Sequence, residues 1–201
     1  LSLSDVFKRV QDKHKALVVA LMVLMTASIA CFSYSNIRKA TLDNPIQYEI
    51  TSSGSFLSTE RSISRFDSTG NLAWKVEEAG GKPLDGMLDF DISPGGYIYA
   101  ANTSRRRVEV FDPNGAWQFG FGEKYLGQDF TLKVLADGNV LVADTSSDNL
   151  KLFDPNGQFI TIKGGKYEDK LFAFPNGVDQ LPDGTVIIAE TNNLRFQRFD
   201  P

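Results

Sequence analysis

Short apolar runs recur along most of this chain, each four to six residues long and each closed by a turn signal. Val140-Leu141-Val142-Ala143 is one, and Tyr97-Ile98-Tyr99-Ala100-Ala101 and Val186-Ile187-Ile188-Ala189 are others. Runs of this length bounded by Gly, Asp and Pro read as buried strands. After each comes a run in which apolar and polar residues alternate, as in Val108-Glu109-Val110-Phe111 and Leu150-Lys151-Leu152-Phe153. Alternation puts every second side chain on one sheet face. The first 42 residues follow another pattern. Residues 16–34, ALVVALMVLMTASIACFSY, carry no charge. Before them Leu3, Val6, Phe7 and Val10 fall at helical spacing behind Ser2 and Asp5, which have capping-box spacing.

Two markers show that the strands repeat. Gly54, Gly96, Gly138 and Gly184 each precede an apolar strand, and Phe66-Asp67, Phe111-Asp112, Phe153-Asp154 and Phe199-Asp200 each close an alternating one. The glycines lie 42, 42 and 46 residues apart, and the phenylalanines follow them at 12, 15, 15 and 15 residues. Self-similarity at this period, with four short strands per unit, predicts the blades of a β-propeller. The predicted blades are about 45–78, 86–122, 129–164 and 174–201. FDPNG, at Phe111–Gly115 and Phe153–Gly157, is expected to turn the third strand into the outer one, with Pro setting φ and Gly allowing the reversal. The sequence stops part-way into a further copy, so the fourth unit is expected to lack its outer strand, with more blades in the complete protein. The fold class expected is therefore all-β: an incomplete propeller of four-stranded antiparallel blades, about four units with the last truncated, preceded by one transmembrane helix.

The strings DGNVLVADTSSDNLKLFDPNGQFI and DGTVIIAETNNLRFQRFDP resemble the NHL repeat, and GGYIYAANTSRRRVEVFDPNGAWQFGFG is similar. The resemblance covers residues 87–201 clearly and 45–76 weakly. The repeat's acidic-Thr pair stands at Asp144-Thr145 and Glu190-Thr191, with Asn102-Thr103 departing from it. Its arginine stands at Arg107 and Arg195, with Asn149 departing. The resemblance implies a propeller and says little about chemistry.

Charge divides the chain. Residues 1–42 balance at +4 and residues 43–201 at −8. Nineteen helical residues reach about 28 Å, close to the thickness of a bilayer core. Residues 16–35 are expected to be an uncleaved transmembrane helix, in preference to a secretory signal cut after Ala30 or a lipoprotein signal using Cys31. Residues 1–15 then form a cytoplasmic amphipathic segment, and residues 36–44 a linker to the propeller at 45–201. Lys8, Arg9, Lys13 and Lys15 precede the span while only Arg38 and Lys39 follow it, which places the N-terminus inside and the propeller on the periplasmic side of the inner membrane. Ala16 and Ala20, then Ala27 and Cys31, have the small-xxx-small spacing that allows helix packing.

The only histidine, His14, precedes the span. That removes the usual general base and zinc ligand from the strands. NHL-like amidating lyases rely on histidine-bound zinc, and related propeller lactonases hold calcium through axial Asp, Glu and Asn. Asp89, Asp91, Asp137, Asp144, Asp179, Asp183 and Glu190 are the acids available. Asp137 and Asp183 are expected in turns, and Asp144 and Glu190 in a structural slot, so no catalytic, cofactor or metal site is assigned. Arg107 is expected to pair with a neighbouring blade's carboxylate. Arg105 and Arg106 are surplus to the repeat and are candidate partner contacts. Phe119, Phe121, Tyr125, Phe130, Phe172 and Phe174 are expected to wedge blades together. An acidic propeller argues against nucleic acid. The function expected is a non-catalytic, membrane-anchored accessory subunit of a respiratory or photosynthetic complex. Its helix would contact other membrane subunits and its propeller a protein partner. The alternatives are a tethered lyase or lactonase and an extracytoplasmic sensor.

Overall fold

In the computed structural model, residues 45–52, 54–165 and 171–200 are described. The candidate span, with Ala16, Ala20, Ala27 and Cys31, lies outside them. Among the described residues no helix is long and apolar enough to cross a membrane.

The chain forms four successive antiparallel sheets. The first holds β1 (Pro45–Thr51), β2 (Gly54–Thr59), β3 (Ser62–Phe66) and β4 (Leu72–Val76). A small hairpin of β5 (Glu78–Ala79) and β6 (Lys82–Pro83), which the sequence did not announce, leads into the second. That sheet holds β7 (Met87–Ile92), β8 (Ile98–Asn102), β9 (Arg107–Phe111) and β10 (Trp117–Phe121). The third holds β11 (Phe130–Val134), β12 (Val140–Asp144), β13 (Asn149–Phe153) and β14 (Phe159–Gly164), with a 3-10 turn at Thr145–Ser147. The fourth holds β15 (Pro175–Gln180), β16 (Val186–Glu190) and β17 (Arg195–Phe199). Strands neighbour one another in sequence order within every sheet. The first strands β1, β7, β11 and β15 pack side by side across sheets. This is a propeller arrangement of four blades.

The turn after the third strand explains the FDPNG spelling. Asp112 Oδ1 accepts the N–H groups of Asn114 and Ala116 at 2.8 and 2.9 Å, and Asp154 Oδ1 those of Asn156 and Gln158 at 2.9 and 2.7 Å. Gly115 and Gly157 take φ +82° and +79°, a region in which a side chain is strained. Asp67, Thr69 and Asn71 build the same turn in the first blade without proline. The aspartate organises the reversal and the glycine permits it.

Apolar faces meet between blades. Phe56 and Ile63 of the first blade pack with Met87, Phe90, Ile98 and Phe111 of the second. Tyr99, Val108 and Val110 of the second pack with Phe130, Leu132, Val140 and Phe153 of the third. Ala143 and Leu150 of the third pack with Ile188 of the fourth. Each Val, Leu, Ile, Phe or Met among them contributes roughly 1.5–3 kcal/mol when fully buried. Phe121, Phe130 and Phe172 sit in these layers as expected of wedges. Tyr125 and Phe174 do not; both are exposed. Tyr125 lies flat on Phe159, and Phe174 stands in a left-handed turn at φ +58°.

The ladders fix which positions correspond. Ser55, Ile98, Val140 and Val186 pair with Phe66, Phe111, Phe153 and Phe199. Three residues before each phenylalanine lie Ile63, Val108, Leu150 and Phe196. The first three are buried by the next blade, whereas Phe196 is 78% exposed and nearby Leu194 is 91% exposed. Tyr48 and Ile50 of β1 are exposed too.

Candidate functional site

The first strands of all four blades converge on a cleft of about 350 Å³ lined by Gln47, Glu49, Asp89, Asp91, Lys133 and Asp179 among others. Glu49, Asp91, Lys133 and Asp179 are repeat equivalents. They pair with Phe56, Tyr99, Leu141 and Ile187, each one residue beyond the pairing that fixes the register. Each also stands five residues before its blade's glycine marker. Gln47, Asp89, Thr131 and Gly177 form the next level, seven before the glycine. Four carboxylates and one ammonium thus share the axial end.

The geometry shows what these side chains hold. A first strand has no ladder partner on its axial edge, so its N–H groups need acceptors. The preceding blade supplies them. Gln47 Oε1 accepts the Phe90 N–H at 2.6 Å while its Nε2 donates to the Phe90 carbonyl at 2.9 Å. Asp89 Oδ2 accepts the Leu132 N–H at 2.8 Å, and Asp91 Oδ2 the Val134 N–H at 2.7 Å. All of these bonds span 43 residues, one repeat. Between the third and fourth blades the direction reverses, with Gln180 Oε1 accepting the Ala136 N–H at 2.8 Å. Lys133 Nζ lies 3.4 Å from Asp91 and 3.2 Å from Asp179, so one ammonium ties three blades.

Crowding sets the electrostatics. Burial and the neighbouring Asp91 charge push the Glu49 carboxyl up to about 7. Burial also raises Asp89 to about 7, against the opposing pull of the Leu132 N–H. Burial works to lower Lys133, but Asp91 and Asp179 outweigh it and hold the ammonium above its usual value. Glu49 and Asp89 are therefore groups that hold or release a proton near neutrality. No grouping of three or more His, Cys, Asp or Glu suited to a metal ion occurs among the described residues.

The remaining flagged residues serve the blades. Asp144 is buried, takes Lys151 Nζ at 2.5 Å and accepts the Gly127 N–H at 2.8 Å. Glu190 pairs with Arg195 at 2.7 Å and accepts the Ala173 N–H at 2.8 Å. Asp137 and Asp183 accept turn N–H groups. In the second blade the slot holds neutral Asn102, and the buried acid is Glu109. Arg105 and Arg107 both reach Glu109, at 3.0 and 3.1 Å. Arg107 also meets Glu123, so its partners lie in its own blade and the connection after it; the expectation of a neighbouring blade's carboxylate is corrected. Arg105 further donates to the Ala79 carbonyl at 3.2 Å. Of the two arginines expected to be surplus, Arg105 is thus engaged inside the protein. Arg106 is exposed in the β8–β9 turn at φ +51°.

The acids Asp89, Asp91 and Asp179 were flagged by sequence, but Glu49, Lys133 and Gln47 were not. Counting five and seven residues back from the glycines would have found them.

No protein-family model and no curated protein matches the chain by sequence. Solved structures match its fold. A Bacteroides caccae protein of unknown function superposes with TM-score 0.55 at 15% identity, covering 78% of this chain and 61% of that one. Kuenenia stuttgartiensis hydrazine synthase gives 0.60 at 18%, covering 74% and 42%. Virginiamycin B lyase from Staphylococcus aureus gives 0.61 at 12%, covering 78% and 55%. The chain thus spans between 42% and 61% of the length of these structures. Identities this low show the β-propeller fold, which both enzymes and other proteins use.

Proposed function

We propose that this chain is the NHL-type propeller portion of a non-catalytic accessory subunit, held to a membrane by residues 16–35 and offering its sheets to another protein of a membrane complex. The observation that carries this reading is the use made of the axial acids: Asp89 and Asp91 are occupied with the main-chain N–H groups of Leu132 and Val134, tying one blade to the next. The uncharged residues 16–34 and the basic flank before them support the tether.

One observation favours a second reading, a tethered enzyme of lyase or lactonase type: Glu49 and Asp89 are raised to about 7 in an axial cleft. A single experiment separates the two. A photo-crosslinking amino acid is placed at the exposed Arg106 and, separately, at Ala27, and membranes are washed with alkaline carbonate. The accessory reading expects retention in the washed membrane and crosslinks from both positions to subunits of one complex. Release by carbonate, or a retained chain that crosslinks to no protein from either position, refutes it.

A further inference from the structure

The third blade lacks the arginine that the second and fourth blades place in one slot. Arg107, Asn149 and Arg195 are repeat equivalents, each four residues before its phenylalanine. In the second blade the Arg107 guanidinium lies 3.1 Å from buried Glu109, and the Trp117 indole N–H donates to the same carboxylate at 3.0 Å. In the fourth, Arg195 and Gln197 each reach Glu190 at 2.7 Å. Asn149 cannot fill that space. Its side chain folds back, donating to the Ser147 carbonyl at 2.9 Å and accepting from Lys151 Nζ at 2.6 Å. A cavity of about 580 Å³ opens there.

We propose that this cavity is a binding site for a small aromatic carboxylate. Its volume lies in the range of ligand pockets, which are mostly apolar with a few placed polar groups. The apolar wall is Tyr125, Phe159 and Ile162. Tyr125 and Phe159 stack with ring centroids 4.3 Å apart and planes 6° apart, so the exposed Tyr125 face extends a stack that a third ring can continue. The polar wall is Lys124, Asn149 and Lys151. Lys151 is 3% exposed, and an ammonium has three hydrogens. Asp144 and Asn149 take two of them. Lys151 balances Asp144, and Lys124 at the rim makes no ion pair among the described residues, so the described residues lining the site carry an excess of positive charge. That charge selects an anion over a cation. A carboxylate set between Lys124 and the remaining Lys151 hydrogen leaves its ring against Tyr125.

The test is a titration of the full chain in detergent with 4-hydroxybenzoate, followed by saturation-transfer NMR, with benzylamine as the ring of opposite charge. Saturable binding of the benzoate, with none of the amine, is expected. Lys124→Gln and Tyr125→Ala, both at the exposed rim, should each weaken it several-fold. Asn149→Arg with Lys151→Gln rebuilds the fourth blade's set, fills the cavity and should abolish binding. Absence of saturable benzoate binding overturns the proposal. So does equal binding by benzylamine, or affinity unchanged in the folded double variant. If the double variant does not fold, the two rim variants decide, and unchanged affinity in both overturns it.

Discussion

Lys151 gives the most demanding energetic prediction. Its ammonium is buried beside the fully buried Asp144, 2.5 Å away. Lys151→Met keeps the length and apolar stem but leaves the carboxylate, among the described residues, with only the Gly127 N–H and the Ser146 hydroxyl, at 2.8 and 2.9 Å. Breaking a buried pair from one side costs about 3–5 kcal/mol, because the remaining charge stays buried and uncompensated. Removing both charges, with Asp144→Asn and Lys151→Met together, should recover most of that loss. The assay is urea unfolding followed by tryptophan fluorescence, which reads Trp74 and Trp117. The single variant should unfold at a markedly lower urea midpoint. A single-variant loss under about 1 kcal/mol, or a double variant as unstable as the single, refutes the reasoning.

Three further outcomes follow from the geometry. Val108→Ala, under the next blade, should cost about 2 kcal/mol, whereas Gln118→Ala, exposed on β10, should stay within about 0.5 kcal/mol in thermal melts. Gly157→Ala should cost more than Gly138→Ala. Both have positive φ, but a Cβ at Gly157 overlaps the Phe121 ring while one at Gly138 meets only the Pro155 ring at 3.3 Å; paired melting curves check the order. Stability should fall as the pH rises from about 4.5 to about 7 and then level. Glu49 and Asp89 have folded values near 7, above their ordinary values of 4.5 and 3.8, so the folded state binds their protons more tightly. Glu49→Gln with Asp89→Asn should flatten that curve.

The blades were legible because their markers are local. The Asp-Gly turns and the FDPNG reversals need particular residues at particular φ, so they leave a regular imprint in the chain. Leu150-Lys151-Leu152-Phe153 reads as a strand for the same reason. The axial cleft was half legible. Asp89, Asp91 and Asp179 stand out as charges in apolar strands, yet Lys133 looks like an ordinary exposed lysine until the register places it between Asp91 and Asp179. Arg105 misled in the opposite sense. The sequence puts it in a loop, but the buried acid of this blade has moved from position 102 to Glu109, and the arginine folds in to meet it. Local pattern cannot show such an exchange, because the charge is balanced across two strands. Phe174 reads as an aromatic of a blade connection, yet it stands in a left-handed turn and is exposed. The cavity beside Asn149 was visible only as a departure from the repeat, without its volume.

The central claim is that residues 42 to 46 apart meet at one axis. Carbodiimide crosslinking of the native chain, followed by peptide mass spectrometry, tests it at Lys133. The account predicts zero-length links from Lys133 to both Asp91 and Asp179, at 3.4 and 3.2 Å, joining the second, third and fourth blades. Absence of both links, with Lys133 joined instead to carboxylates of its own blade, would contradict it.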